Sequence, residues 1–186
     1  MRNIAFIGKA RSGKDTAASF LVRERSYTRV AFADPLKEMA LRIDPLVRTQ
    51  SAWEPPVRLA KLVGDVGWEY AKDNYPEVRR LLQSIGQAQR DFDPDYWVNV
   101  VRRKLNAAES WNLPVVVTDV RYRNEAEMLQ ARGFRLVRII RPVFGTNPEL
   151  QHVSETELDD FHTEWAVYND GDVTQLRRAI LAASGT

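Results

Sequence analysis

The sequence predicts an α/β fold built on mostly parallel strands with helices between them. Three observations carry that reading. A short apolar run, Ile4 to Ile7, ends at Gly8 and leads through a glycine-containing loop into a helical pattern. A second run, Val115-Val116-Val117-Thr118-Asp119, is the strongest strand pattern in the chain. Around these two, strand-like and helix-like stretches alternate, as parallel crossover units require.

Each element has its own signal. The first run is apolar, β-branched and aromatic, which fits a strand buried on both faces. From Lys14 to about Arg25, Ala17, Phe20 and Leu21 recur at helical spacing. Residues 29–33 (RVAFA) read as a second strand. Asp34 and Pro35 then open a helix with Leu36, Met39 and Ala40 on one face, Asp34 serving as N-cap and Pro35 sitting in the first turn. Residues 44–113 differ in kind. They carry Pro45, Pro55, Pro56, Pro76 and Pro94, together with Trp53, Trp68, Trp97 and Trp111, and no clear strand. Helical patterns over 57–63, 76–85 and 95–108 make this stretch a helical insertion between strands. After the valine strand come a helix over 124–131 closed by Gly133, strands over 134–140 and 164–168, a turn at Asn169-Asp170-Gly171-Asp172, and a terminal helix over 173–182. A chain of 186 residues is expected to form one domain.

Composition excludes several classes. With 44% hydrophobic and 28% charged residues the chain is neither disordered nor fibrous. The absence of cysteine removes disulfide scaffolds, thiolate metal sites and cysteine nucleophiles, and two histidines, His152 and His162, cannot build a His-rich zinc site. No apolar run approaches the roughly 18 residues of a membrane helix, and the apolar start runs into glycines and charges rather than a signal-peptide cleavage site. A reducing cytoplasm is therefore the expected location, and no membrane association is expected. The net charge of +2 is too small for a polyanion-coating surface. The basic residues are nevertheless 21 Arg against 6 Lys. Arginine grips phosphate bidentately, so the positions of those arginines matter more than their total.

The chemistry concentrates after the first strand. Gly8-Lys9-Ala10-Arg11-Ser12-Gly13-Lys14-Asp15-Thr16 is GxxxxGK followed by Asp-Thr, placed between a strand and a helix as a phosphate loop requires. The glycines let backbone N–H groups curl inward, the helix start adds positive partial charge, and Lys14 reaches the β- and γ-phosphates. Asp15 stands where Ser or Thr would offer a hydroxyl to Mg²⁺, so it is a direct or outer-shell Mg²⁺ partner. Thr16 comes one position late and could donate to the α-phosphate. The bland alternative is an ordinary glycine turn. Asp119 ends the valine strand at the carboxyl edge of the sheet, where ligands bind; it binds Mg²⁺ through water, positions the transferring group, or is only a turn residue. Arg121 could clamp a phosphoryl group, whereas Arg123 reads as a surface or capping residue.

The segments GKARSGKDTAA (8–18), FADPLKEMA (32–40), GWEYAKDNYPEVRRLLQSIG (67–86), DPDYWV (93–98), VVVTDVRYRNEAEML (115–129), HVSETELDD (152–160) and YNDGDVTQL (168–176) together resemble the bacteriophage-type deoxynucleoside monophosphate kinases. The Gly-Lys-Asp form of the loop also resembles animal phosphomevalonate kinases, so the loop alone does not name the acceptor. The resemblance implies a P-loop NTPase fold with a five-stranded parallel sheet, a helical acceptor-binding insertion at about 44–113, and a lid at about 141–156. It implies ATP as donor, a deoxynucleoside 5′-monophosphate as acceptor, Mg²⁺, and a role in DNA precursor supply during phage replication. Gly8, Gly13, Lys14, Asp15 and Thr16 match the donor loop; Asp34 and Lys37 match the segment after the second strand; Arg121, Asn124 and Glu125 match the segment after Asp119; His152, Ser154 and Glu155 fall in the lid. Asn169-Asp170-Gly171 lies where related kinases pass the donor adenine.

Such a kinase must neutralise two polyanions by positioning and electrostatics. Arg11 and Ser12 in the loop and Arg141 at the lid entrance are candidates on the donor side, with Arg138 flanking that entrance; Arg121, a catalytic candidate, and Glu125 are candidates on the acceptor side. Arg58, Arg79 and Arg90 are candidates in the insertion, where Trp68 or Trp97 could stack on the acceptor base or simply fill the core. Asp34 could orient the acceptor or only cap its helix, and Lys37 could face the acceptor phosphate or solvent. His152 could touch phosphate or base; Ser154 with Glu157 has capping-box spacing, and His162 reads as structural. Two rivals stand beside the main reading. One is a P-loop kinase for another small phosphorylated acceptor. The other is a non-enzymatic nucleotide switch or DNA-binding module, suggested by Arg102-Arg103-Lys104 and Arg177-Arg178. Those runs are short and no recognition motif accompanies them, so stable nucleic-acid binding is not expected. Whether the chain acts alone or as a homodimer is not legible.

Overall fold

A computed structural model describes residues 2–49, 55–142 and 156–185. The chain packs as two compact units, Met1–Phe32 with Val98–Thr186, and Ala33–Trp97.

The first unit is built on five parallel strands: β1 (Ile4–Ile7), β2 (Thr28–Val30), β5 (Val115–Val120), β6 (Arg135–Ile140) and β7 (Trp165–Tyr168), in the order β2-β5-β1-β6-β7. Strand β1 is central: it is apolar at every position and all four of its residues are buried, as a strand paired on both sides and covered on both faces requires. It pairs Ile4 with Val116 on one side and with Arg135 on the other. The edge strand β7 keeps only Val167 buried, as one exposed face and one open edge allow. Helices α1 (Lys14–Arg25) and α7 (Val173–Gly185) cover one face; Phe6, Phe20, Leu21, Ile139, Leu176 and Ile180 meet in that core. Helix α6 (Arg123–Ala131) joins β5 to β6. In a parallel sheet all strands end on the same side. Gly8, Arg121, Arg141 and Asn169 therefore follow strand ends at one edge.

The second unit holds α2 (Ala33–Ile43), β3 (Leu46–Val47), β4 (Val57–Arg58), α3 (Leu59–Asn74) and α4 (Pro76–Phe92), and α5 (Tyr96–Ser110) starts in it. Ala40, Val47, Leu59, Leu62, Ala71 and Val78 form its core. Trp97 is 2% exposed and its Nε1–H donates to the Gly86 carbonyl at 3.1 Å, so it is buried and offers no open stacking face.

Several expected boundaries move. Strand β2 stops at Val30 instead of residue 33, because the Phe32 N–H leaves the ladder for the Asp119 carboxylate at 2.8 Å. Helix α2 starts at Ala33, which puts Asp34 inside the first turn and not at the N-cap; Pro35 still fits there, where N–H groups lack intrahelical partners. The stretch 44–113, read as strandless, contains the antiparallel pair β3–β4, with Leu46 opposite Arg58 and Val47 opposite Val57. Two residues per strand are too few to show alternation. The helix expected over 57–63 begins at Leu59 and continues to Asn74, bent where Gly67 takes φ 77°. Among the described residues no helix is long and apolar enough to cross a membrane.

Candidate functional site

The site is assembled at the carboxyl edge of the first unit's sheet. After β1 the backbone takes positive φ at Gly8, Arg11 (61°) and Gly13 (102°). A Cβ at Gly8 would run into the Ile139 carbonyl oxygen, so glycine is required there by both space and φ. The loop closes on Lys14, the first residue of α1. Its Nζ donates to the carbonyls of Gly8 (2.5 Å) and Lys9 (2.7 Å), and the side chain is buried. Burial first, and the nearby Arg121 guanidinium second, lower its pKa to about 8, while Asp15 and Asp119 act in the opposite direction. One phosphate-loop lysine, one arginine and two carboxylates are thus within electrostatic reach of each other.

The carboxylates differ in setting. Asp15 and Thr16 are exposed on the first turn of α1. Asp119 is half-buried, and its Oδ1 is aimed by the Phe32 N–H. Arg121 follows β5 into α6. There Glu125, 1% exposed, accepts from the N–H groups of Arg121 (2.9 Å) and Tyr122 (3.2 Å). Glu125 was expected on the acceptor side, but its carboxylate serves the helix start as an N3 cap does. It holds the backbone of Arg121 rather than an open ligand face.

A cleft of about 390 Å³ opens beside the loop, lined by Gly8, Lys9, Ser12, Arg121, Arg138 and Arg141 among others. The Ser12 hydroxyl is buried with no hydrogen-bond partner among the described residues. Lys9 lies 3.4 Å from Asp159. Arg138 is held by the carbonyls of Leu158 (2.7 Å) and Phe161 (2.6 Å), and Arg123 grips Asp160 with both carboxylate oxygens at 2.9 and 3.0 Å. The turn around residues 158–161 is therefore fastened to the loop, to β6 and to α6. Lys9 and Asp159 lie in segments that carry the family resemblance, but no local pattern links them, since they are 150 residues apart. Asn169, just after β7, donates from Nδ2 to the Ser12 carbonyl at 2.8 Å.

Other expected residues lie in the second unit or beyond the described chain. Lys37 Nζ is 5.7 Å from the Trp68 ring centroid, a cation–π contact. Arg58 donates to the Asp44 carbonyl at 2.9 Å. Arg79 is tied at 2.7 Å to both the Lys72 carbonyl and Asp73. Arg90 is half-buried in the last turn of α4, and Asp34 half-buried in the first turn of α2. His152, Ser154, Glu155 and most of the expected lid lie outside the described residues.

With this geometry in view, the chain can be set beside known proteins. Residues 65–180 match the family model described as deoxynucleotide monophosphate kinase. The phosphate loop lies before the matched stretch and stands on its own geometry. The chain is 28% identical, over 91% of its length, to the uncharacterized protein ORF77 of Ictalurid herpesvirus 1 (strain Auburn), and spans 64% of that relative. It is 22% identical to the deoxynucleotide monophosphate kinase of Enterobacteria phage T4, over 95% of each chain. Among solved structures, the dephospho-CoA kinase from Campylobacter jejuni superposes with a TM-score of 0.53, over 98% of this chain and 95% of that one, at 10% identity. That likeness shows the fold.

Proposed function

The chain belongs to the deoxynucleotide monophosphate kinase family, and from that premise we propose that it transfers the γ-phosphoryl group of ATP to a deoxynucleoside 5′-monophosphate, giving the diphosphate for DNA precursor supply. The observation that carries the reading is the buried Lys14 ammonium, held in a glycine loop and depressed in pKa by burial and by Arg121. Two cations kept this close repel each other, and a polyphosphate held by both removes the repulsion.

Phosphoryl transfer needs positioning and charge stabilisation more than covalent help. The loop N–H groups from Gly8 to Thr16, with Arg11 and Ser12, cradle the donor phosphates. Lys14 holds the β- and γ-phosphates, and Arg121 meets charge growing on the transferred group. Arg141 and Asn169 complete the donor side. Acceptor recognition falls to Asp34, Lys37, Arg58, Trp68, Arg79 and Arg90, with His152 from the lid. Arg58 and Arg79 would exchange their present backbone and carboxylate partners for phosphate oxygens.

The residues fit Mg²⁺. Asp15 and Asp119 are hard oxygen donors that both act on Lys14. Among the described residues there is no cluster of three His, Asp or Glu. This suits an ion that takes one or two carboxylates and completes its shell with phosphate oxygens and water. When bound, Mg²⁺ supplies neutralisation of the donor phosphate charge.

The test is ATP consumption with dAMP, dCMP, dGMP, dTMP and phosphomevalonate as acceptors. Turnover with at least one deoxynucleotide is expected. No response to any of the four would end the reading, and turnover with phosphomevalonate alone would reassign the acceptor.

A further inference from the structure

We propose that Asn169 is a positioning residue for the phosphate loop, one that sets the Ser12–Gly13 peptide so that the Gly13 N–H faces the bound phosphate. The inference rests on the nucleotide reading above and gives Asn169 a different task from contact with the donor base.

The geometry has three parts. The Asn169 backbone is pinned, because its N–H donates to the Ile140 carbonyl at 2.7 Å and so extends the β6–β7 ladder by one bond. Its side-chain Nδ2 then reaches 2.8 Å from the Ser12 carbonyl oxygen, across 157 positions of sequence. It also lies over Gly13: a Cβ on that residue would sit 2.5 Å from Nδ2 and 3.6 Å from Leu176 Cδ2. Glycine at position 13 thus serves two needs. It accepts a φ of 102°, and it leaves room for the Asn169 amide.

The consequence follows from peptide planarity. In a trans peptide the C=O and the following N–H point in opposite directions. Anchoring the Ser12 oxygen toward Asn169 and α7 turns the Gly13 N–H the other way, into the concave side of the loop. Without the anchor, the peptide between Ser12 and a glycine has little to prevent rotation, since glycine tolerates either sign of φ. A phosphate would then have to order the donor before using it, and that ordering lowers affinity. Asn169 acts through the loop and touches no phosphate itself.

The test separates this role from a base contact. Inorganic tripolyphosphate carries the phosphates and no base. Calorimetric titration of tripolyphosphate and of ATP, each with Mg²⁺, is compared for the native chain, Asn169→Ala and Asn169→Ser. Each variant is checked for native circular dichroism. Both variants are expected to lose affinity for the two ligands by the same factor, about tenfold for one well-placed hydrogen bond. In turnover assays the ATP KM should rise while the acceptor KM stays put. If Asn169→Ala does not fold, Asn169→Ser, which keeps a small polar side chain too short to bridge to Ser12, gives the answer. Weaker ATP binding with unchanged tripolyphosphate binding would make Asn169 a base contact and overturn the proposal. Unchanged binding of both ligands would overturn it as well. A native chain that binds neither ligand would instead remove the nucleotide reading on which the inference stands.

Discussion

The two units hold their charged side chains in contrasting ways. In the β-sheet unit, the groups around the phosphate loop are held by hydrogen bonds, two of them from residues far along the chain. Asp119 is aimed by the Phe32 N–H, Arg121 follows a turn capped by buried Glu125, and the loop itself is braced by Asn169. In the Ala33–Trp97 unit the arginines are tied to near neighbours: Arg58 to the Asp44 carbonyl, and Arg79 to Lys72 and Asp73. Fixed groups cost little to reorganise when charge develops. Locally tied groups can exchange partners when a ligand arrives. Under the proposed function, the difference suits a donor site that is ready-made and acceptor residues that adjust.

Substitutions at the two ends of this contrast should separate it. Lys14→Ala should have the largest effect, lowering kcat/KM by about a thousandfold or more. The fold should survive, because a buried ammonium is costly to keep; circular dichroism and a thermal melt check this. A near-normal rate would break the assignment of the loop. Arg79→Ala should raise the acceptor KM by about tenfold, equivalent to ~1.4 kcal/mol, and leave the ATP KM alone. Steady-state kinetics with each substrate varied would expose a donor role if the ATP KM moved instead. Trp97→Phe should cost about 1 kcal/mol in stability, because the hydrogen bond to the Gly86 carbonyl is lost while that carbonyl keeps its place in the helix. Denaturant melts measure this, and the ATP KM should not respond.

Titration gives a subtler test of the donor side. The folded pKa of Lys14 is lowered from 10.5 to about 8. Between those two values the unfolded chain binds more protons, so this group makes stability rise with pH across that window and opposes folding in full below it. A bound polyphosphate favours the charged ammonium and raises its pKa. At pH 8, ATP binding should therefore take up about half a proton, read from calorimetric heats in buffers of different ionisation enthalpy. Zero uptake would mean that Lys14 does not meet the phosphates. The smallest effect belongs to Arg177→Ala. A hydrogen bond from Arg177 holds the Glu24 carboxyl below its usual range, but both groups are solvent-exposed. Neither turnover nor the thermal midpoint should move measurably.

Legibility tracked distance along the chain. Strands β1 and β5 were readable because both faces of each are buried, which forces continuous apolar runs. The phosphate loop was readable because a short spacing of glycines and one lysine contains its whole geometry. The β3–β4 pair was missed because two-residue strands have no period, and the length of α3 because Gly64 and Gly67 look like stops. Glu125 could be matched but not understood. Only its 1% exposure and its two backbone donors show that it serves the Arg121 turn.

The sequence by itself determined the α/β class, the phosphate loop and the carboxylate near the end of β5, because each depends on patterns within about ten consecutive residues. Tertiary structure alone decided the strand order β2-β5-β1-β6-β7, and with it which residues meet. That order brings Asn169 to Ser12, Asp159 to Lys9 and Phe32 to Asp119, pairs that no local pattern links. Local conformation follows from side-chain size and periodicity over a few bonds. Which strand ends become neighbours is set by burying the whole sheet between its helices, a free energy shared by residues far apart in the chain.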